Sequence, residues 1–325
     1  MTSSFKPFGL AVAACALVLA GCATERPAAH AVAIRRAPPP AAQFAAAPPS
    51  DRSLAVQASA FESFMRRARG IDAGFSGPAD VAQALSTGAG HEPHELETGM
   101  IAYAAMAALQ EPRFVAGVRA ERARNPQEWG ELARRLSADP QAALALPGGE
   151  AAGARASGAL FAQGAALSGE GEKVKHAAYS VQRQAWARTK VSDPAGRLSR
   201  VKRISSEGYR ASREDAAELQ TALAQGGRRG GPSSPVVARG VALAALSVLG
   251  EDGRARALMS EPRSGSCLRL AKLNLYQCLA SAGPHYEDIY CLGQHAMIDP
   301  GQCVVDATRA PTTRQVAMTK VNYRR

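Results

Sequence analysis

Nowhere in this 325-residue chain do β-branched and polar residues alternate over the length of a strand. A half-buried strand needs that period of two, so the sequence offers no sheet to build. What recurs instead is helical spacing. Leu54, Ala58, Phe61 and Met65 fall on one helix face, and Gly70 follows as a stop. Asn125-Pro126-Gln127-Glu128 places Asn, Pro and Glu where an N-cap, a first helical residue and a third helical residue belong. Asp139-Pro140 opens a further helix, and Ser212 with Asp215 forms a capping box ahead of Leu219 and Leu223. The stretches Met100 to Leu109 and Val236 to Leu249 are apolar nearly all round, the mark of buried helices. The expected fold is all-α, a bundle or array of eight to ten helices.

The chain divides by composition. Residues 1–21 are a short basic start (Lys6) and an uncharged apolar run from Pro7 to Ala20, too short to span a bilayer and shaped like an export signal. Residues 22–50 are rich in Ala and Pro and cannot build a core. As a flexible coil this tether reaches roughly 30 Å, and as a polyproline-like chain up to about 85 Å. A helical body with a basic middle is expected over 51–225, and a Gly/Pro-rich flexible loop over 226–235. A helical region with four Cys follows over 236–308, then a basic tail over 309–325. The Gly- and Ala-rich run 147–172 is expected to loosen or break a helix.

The apolar run ends in Leu19-Ala20-Gly21-Cys22. This resembles the lipobox of bacterial lipoproteins. The resemblance covers the first 22 residues and implies cleavage between Gly21 and Cys22 with lipid attached to Cys22. Ala23, rather than Asp, follows the cysteine, which in that class leans towards the outer membrane. The resemblance therefore implies a membrane partner reached through the anchor and a body facing the periplasm. Losing Lys6 with the signal lowers the formal charge from +11 to +10. A basic body in the envelope suits anionic neighbours such as peptidoglycan carboxylates or lipid phosphates. Nucleic acid, the usual partner of a basic protein, is excluded by export.

One segment combines cations with aromatics. Read as a single helix, Val174 to Val191 buries Val174, Ala178, Val181 and Ala185 on one stripe. Lys175, Tyr179, Arg183, Trp186 and Lys190 then fall on the face beside it. Flat rings among cations suit a sugar or an anionic polymer. The structural alternative packs both rings under a second helix, with the cation stems around them.

Four cysteines remain beyond Cys22. An even set in an oxidising compartment reads as two disulfides, with three possible connectivities. Cys267 and Cys278 are 11 residues apart and share a helix face about 20° wide. Gly283-Pro284 turns the chain, and Cys291 and Cys303 return on a second arm. The spacing favours nested pairing, Cys278 with Cys291 and Cys267 with Cys303. It resembles the twin-cysteine helical hairpin, with a second arm one residue longer and interrupted by Pro300. Zinc prefers closer pairs, and no C-x-x-C is present. No metal or cofactor is implied.

The same region holds His285, Glu287, Asp288 and His295. Acid and imidazole together can do proton transfer, so these four are the catalytic candidates. The alternative is a hairpin turn whose polar groups cap helix ends. His91-Glu92-Pro93-His94-Glu95 reads as the polar first turn of a helix rather than a metal site. The function expected is that of a lipid-anchored envelope protein whose body binds cell wall or an envelope protein. A periplasmic enzyme acting on cell-wall polymer is one alternative, and an assembly factor of a secretion or appendage complex is another.

Overall fold

Ser53 accepts the Val56 N–H and starts the first helix, α1 (Leu54–Arg69). The computed structural model describes residues 53–210 and 212–311. The signal, Gly21, Cys22, the tether and tail residues 312–325 lie outside the described residues. There follow α2 (Pro78–Gly88), α3 (Pro93–Leu109), α4 (Pro112–Arg124), α5 (Trp129–Ala138), a 3₁₀ segment (Pro140–Ala145) and α6 (Gly149–Val181). Next come α7 (Ala185–Arg188), α8 (Pro194–Ser205), α9 (Arg213–Gln225), α10 (Pro235–Leu249) and a second 3₁₀ segment (Asp252–Leu258). The chain ends in α11 (Pro262–Ser281), α12 (His285–Cys291), a π-helical stretch (Leu292–Ile298) and α13 (Asp299–Ala307). The fold is all-α, and its helices outnumber the eight to ten expected because several are only one or two turns long. Proline opens α2, α3, α4, α8, α10 and α11. Its fixed φ suits a first helical residue, and its missing N–H has no helical partner to lose there.

The two all-round apolar stretches form the centre. α3 and α10 pack on each other, with α1 and α6 against α3. The approach is close: a methyl on Gly240 would come within 2.5 Å of the Ala104 side chain. One hydrophobic core joins residues from Ala58 to Ala307. Residues 226–235 therefore do not divide two cores. The Arg229 N–H donates to the Ala154 carbonyl, and its guanidinium stacks 3.8 Å from the Phe161 ring. This segment, expected to be flexible, is held against α6.

Two local readings are corrected. The Gly-rich run 147–172 does not break; α6 continues for 33 residues, about 50 Å. Several of its glycines instead lie where an added methyl would meet a neighbouring segment. A methyl on Gly164 would lie 2.6 Å from the Gly301 carbonyl oxygen, and one on Gly171 would lie 2.8 Å from Met297 Cβ. Asn125 ends α4 rather than capping α5, which starts at Trp129 after a turn closed by the Glu128 N–H on the Asn125 carbonyl. Asp139-Pro140 does open a helix, of the 3₁₀ kind, with the Asp139 carboxylate accepting the Gln141 N–H. The N-cap half of the box at Ser212 is present: its Oγ accepts the Asp215 N–H, while the Asp215 carboxylate accepts the Ser212 hydroxyl rather than its backbone N–H.

The C-terminal hairpin carries both bridges, Cys267–Cys303 and Cys278–Cys291, each with Cα atoms 5.7 Å apart. This is the nested pairing. On a regular α-helix, cysteines 12 residues apart would point about 120° away from each other. The π stretch removes the mismatch. Asp299 donates its N–H to Gln294, five residues back, and such a turn takes up one extra residue. Cys303 thus returns to the face of Cys291. The stretch ends at Asp299-Pro300, where the proline cannot donate and would crowd the carbonyl four residues back.

Candidate functional site

The expected basic, aromatic helix does not exist as one face. α6 ends at Val181, Gln184 is extended, and α7 restarts at Ala185. The reason lies downstream. Val191 donates to the Gly283 carbonyl and His285 to the Thr189 carbonyl, so the chain must leave the line of α6 to meet the hairpin turn. Ala187 is buried in place of Ala185, which is exposed. Tyr179 is 55% exposed and lies edge-on to Tyr290, ring centroids 6.4 Å apart. Trp186 is half-buried, donates to Gln184 and lies 6.5 Å from the His285 ring. Lys175 pairs with Glu172 at 2.8 Å. Arg183 and Lys190 are exposed. The five residues therefore separate into a Tyr179 side and a Trp186 side.

The catalytic candidates separate as well. His295 Nδ1 meets the Asp299 carboxylate at 2.7 Å on the π stretch. Glu287 accepts the Gly283 N–H at 2.7 Å and so closes the hairpin turn. Asp288 is buried and holds the Arg197 guanidinium, whose other terminal nitrogen donates to the carbonyls of Leu279 and Ala282. Burial raises the Asp288 carboxyl to about 6, against the pull of Arg197. Burial, then Arg197, lowers His285 below the usual imidazole value.

Two of the four, His285 and Asp288, line one cleft of about 320 Å³. Its walls come from α2, the loop before α8, α8 itself and α12. Arg197 and Arg200, one helical turn apart on α8, belong to it; the sequence showed them only as members of a basic run. One signal marks Arg197: it shares a helix face with Val201 and Ser205, four and eight residues on, and all three are buried. A larger cleft of about 440 Å³ adjoins the Cys267–Cys303 bridge. Its acids are already engaged: Glu261 caps α11 and Asp306 pairs with Arg309.

No family model matches this chain, and no curated protein or solved structure matches it.

A second buried polar cluster was not foreseen. Lys272 on α11 donates to the Ala89 carbonyl at 2.9 Å, approaches His91 Nδ1 at 3.3 Å and donates to Ser205 Oγ at 3.3 Å. His91 lies against the Phe64 ring, centroids 4.2 Å apart. Desolvation brings the Lys272 amine down to about 7 and drives His91 well below its ordinary value. The cluster ties the end of α2 to α8 and α11. As expected of a helix start, Glu92 caps α3 by accepting the Glu95 N–H at 2.7 Å. Among the described residues no group of three His, Cys, Asp or Glu is placed to hold a metal ion, and no helix is long and apolar enough to cross a membrane.

Proposed function

We propose that this chain is a lipid-anchored protein of the bacterial envelope whose helical body binds an anionic envelope polymer such as peptidoglycan. Cys22 carries the lipid, residues 23–50 give the body reach, and the outer membrane is the expected anchor site. The nested bridges are compatible with an oxidising compartment. One observation supports the polymer reading most: Arg183, Arg188 and Lys190 are exposed, and none of the three has an ion-pair partner among the described residues. Exposed, unpaired cations are solvated cheaply and meet a polyanion with gain. The test is cosedimentation of the full chain, carrying Cys22→Ser, with purified peptidoglycan. Replacing Arg183, Arg188 and Lys190 together by Glu is expected to cut binding at least tenfold and to remove its salt dependence. Unchanged binding would overturn the reading.

A protein partner is the second reading. Leu270 and Leu273 sit one turn apart on the outer side of α11 and are about half exposed. Loss of a crosslinked envelope protein on replacing both by Ser, with wall binding intact, would favour it.

A further inference from the structure

The cleft between α2, α8 and α12 has unlike walls. α2 contributes Val81, Ala82 and Leu85, an apolar surface. α8 contributes Arg197 and Arg200. The cleft's acids are already occupied. Asp193 accepts the Gly196 N–H as the cap of α8, and Asp288 holds Arg197. Two groups are left unmatched. Arg200 is exposed and has no carboxylate partner. Arg197, with a side chain only 7% exposed, keeps its Nε–H buried without an acceptor. A buried donor lacking a partner is rare in folded proteins and calls for an explanation. The cleft's volume of about 320 Å³ falls within the range of small-molecule sites, which are mostly apolar with a few placed polar groups.

We propose that this cleft binds a small amphipathic anion, its alkyl or aryl body against α2 and its carboxylate towards Arg200. The apolar wall supplies affinity without direction. The free cation selects the acid over its neutral analogue, because a hydroxyl in the same place leaves the charge of Arg200 without a counterion. The site goes beyond the polymer-binding reading and does not depend on it, since Arg183, Arg188 and Lys190 are not among its lining residues.

Calorimetric titration of the full chain, carrying Cys22→Ser, with octanoate and with octanol tests the proposal. Octanoate is expected to bind saturably at one site, and octanol at least tenfold more weakly. Arg200→Ala should abolish that preference. Ala82→Phe, at an exposed wall position, should fill the cleft and remove binding of both. Arg203→Ala, on the same helix but paired with Glu207, should change nothing. Equal binding of acid and alcohol, no saturable binding of either, or octanoate binding that survives Ala82→Phe would each overturn the proposal. Polymer cosedimentation by the Arg200→Ala protein is expected to match that of the unsubstituted chain, so failure here and failure of the polymer reading are separable.

Discussion

Arg197 and Asp288, 91 residues apart in sequence, form an ion pair inside the protein, their side chains 7% and 2% exposed. The pair fastens α8 to α12, and Arg197 also satisfies the carbonyls of Leu279 and Ala282 at the end of α11. Removing one partner strands the other charge in the interior. Arg197→Met is therefore expected to cost about 3–5 kcal/mol, and Arg197→Met with Asp288→Leu much less than the sum of the two single changes. Urea unfolding of the two singles and the double decides it. Additive losses would show that the pair carries no coupling.

The contact between α6 and the returning arm is backbone on backbone. A methyl on Gly293 would lie 2.5 Å from the Lys175 nitrogen and 2.9 Å from the Gly171 carbonyl oxygen. Neither neighbour can rotate away. Gly293→Ala should destabilise by at least about 1–3 kcal/mol. Gly169, on the same helix, is exposed with nothing within 4 Å of an added methyl. There the higher helix propensity of alanine should stabilise by up to about 1 kcal/mol. Thermal unfolding of both variants checks the opposite signs.

The two bridges close loops of different size, 36 and 13 residues apart. The restriction of the unfolded chain grows with loop length. Replacing Cys267 and Cys303 by Ser is expected to cost about 4 kcal/mol, and replacing Cys278 and Cys291 about 3 kcal/mol. Peptide mapping without reduction should recover Cys267 joined to Cys303. A Cys267–Cys278 peptide would refute the nested arrangement.

Lys272 gives the protein a pH dependence of definite sign. Its amine titrates near 7 when folded, against 10.5 for a free lysine. Between those values the unfolded chain holds one proton more than the folded chain, so stability rises with pH, by up to about 1.4 kcal/mol per unit. Lys272→Met should flatten that rise. Urea unfolding at pH 7, 8 and 9 measures it, and an unchanged slope in the variant would assign the dependence to another group.

Helices with local signals were legible in the sequence. Ser212 announces its N-cap, and the cysteine spacing announces the hairpin. Features that depend on a distant partner were not legible. Gly164 and Gly171 look like helix breakers until Gly301 and Met297, more than 100 residues away, are seen to fill the space they leave. Trp186 looked like a neighbour of Tyr179 because helical periodicity says nothing about where a helix stops. That stop is set by Gly283 and His285, which pair with Val191 and Thr189. Arg197 was legible only in part: its spacing to Val201 and Ser205 marks a buried face, but its partner Asp288 lies 91 residues away.

The π turn between Cys291 and Cys303 decouples cysteine count from cysteine geometry. Arms of 11 and 12 residues present the same sulfur positions here, so deletion of one residue within 292–298, with the π stretch returning to regular α-helix, is expected to be silent at the level of the bridges. Any search for kindred hairpins keyed to a fixed number of intervening residues would pass over chains like this one. The invariant to look for is the pair of facing sulfur rows, with the spacing between them left elastic.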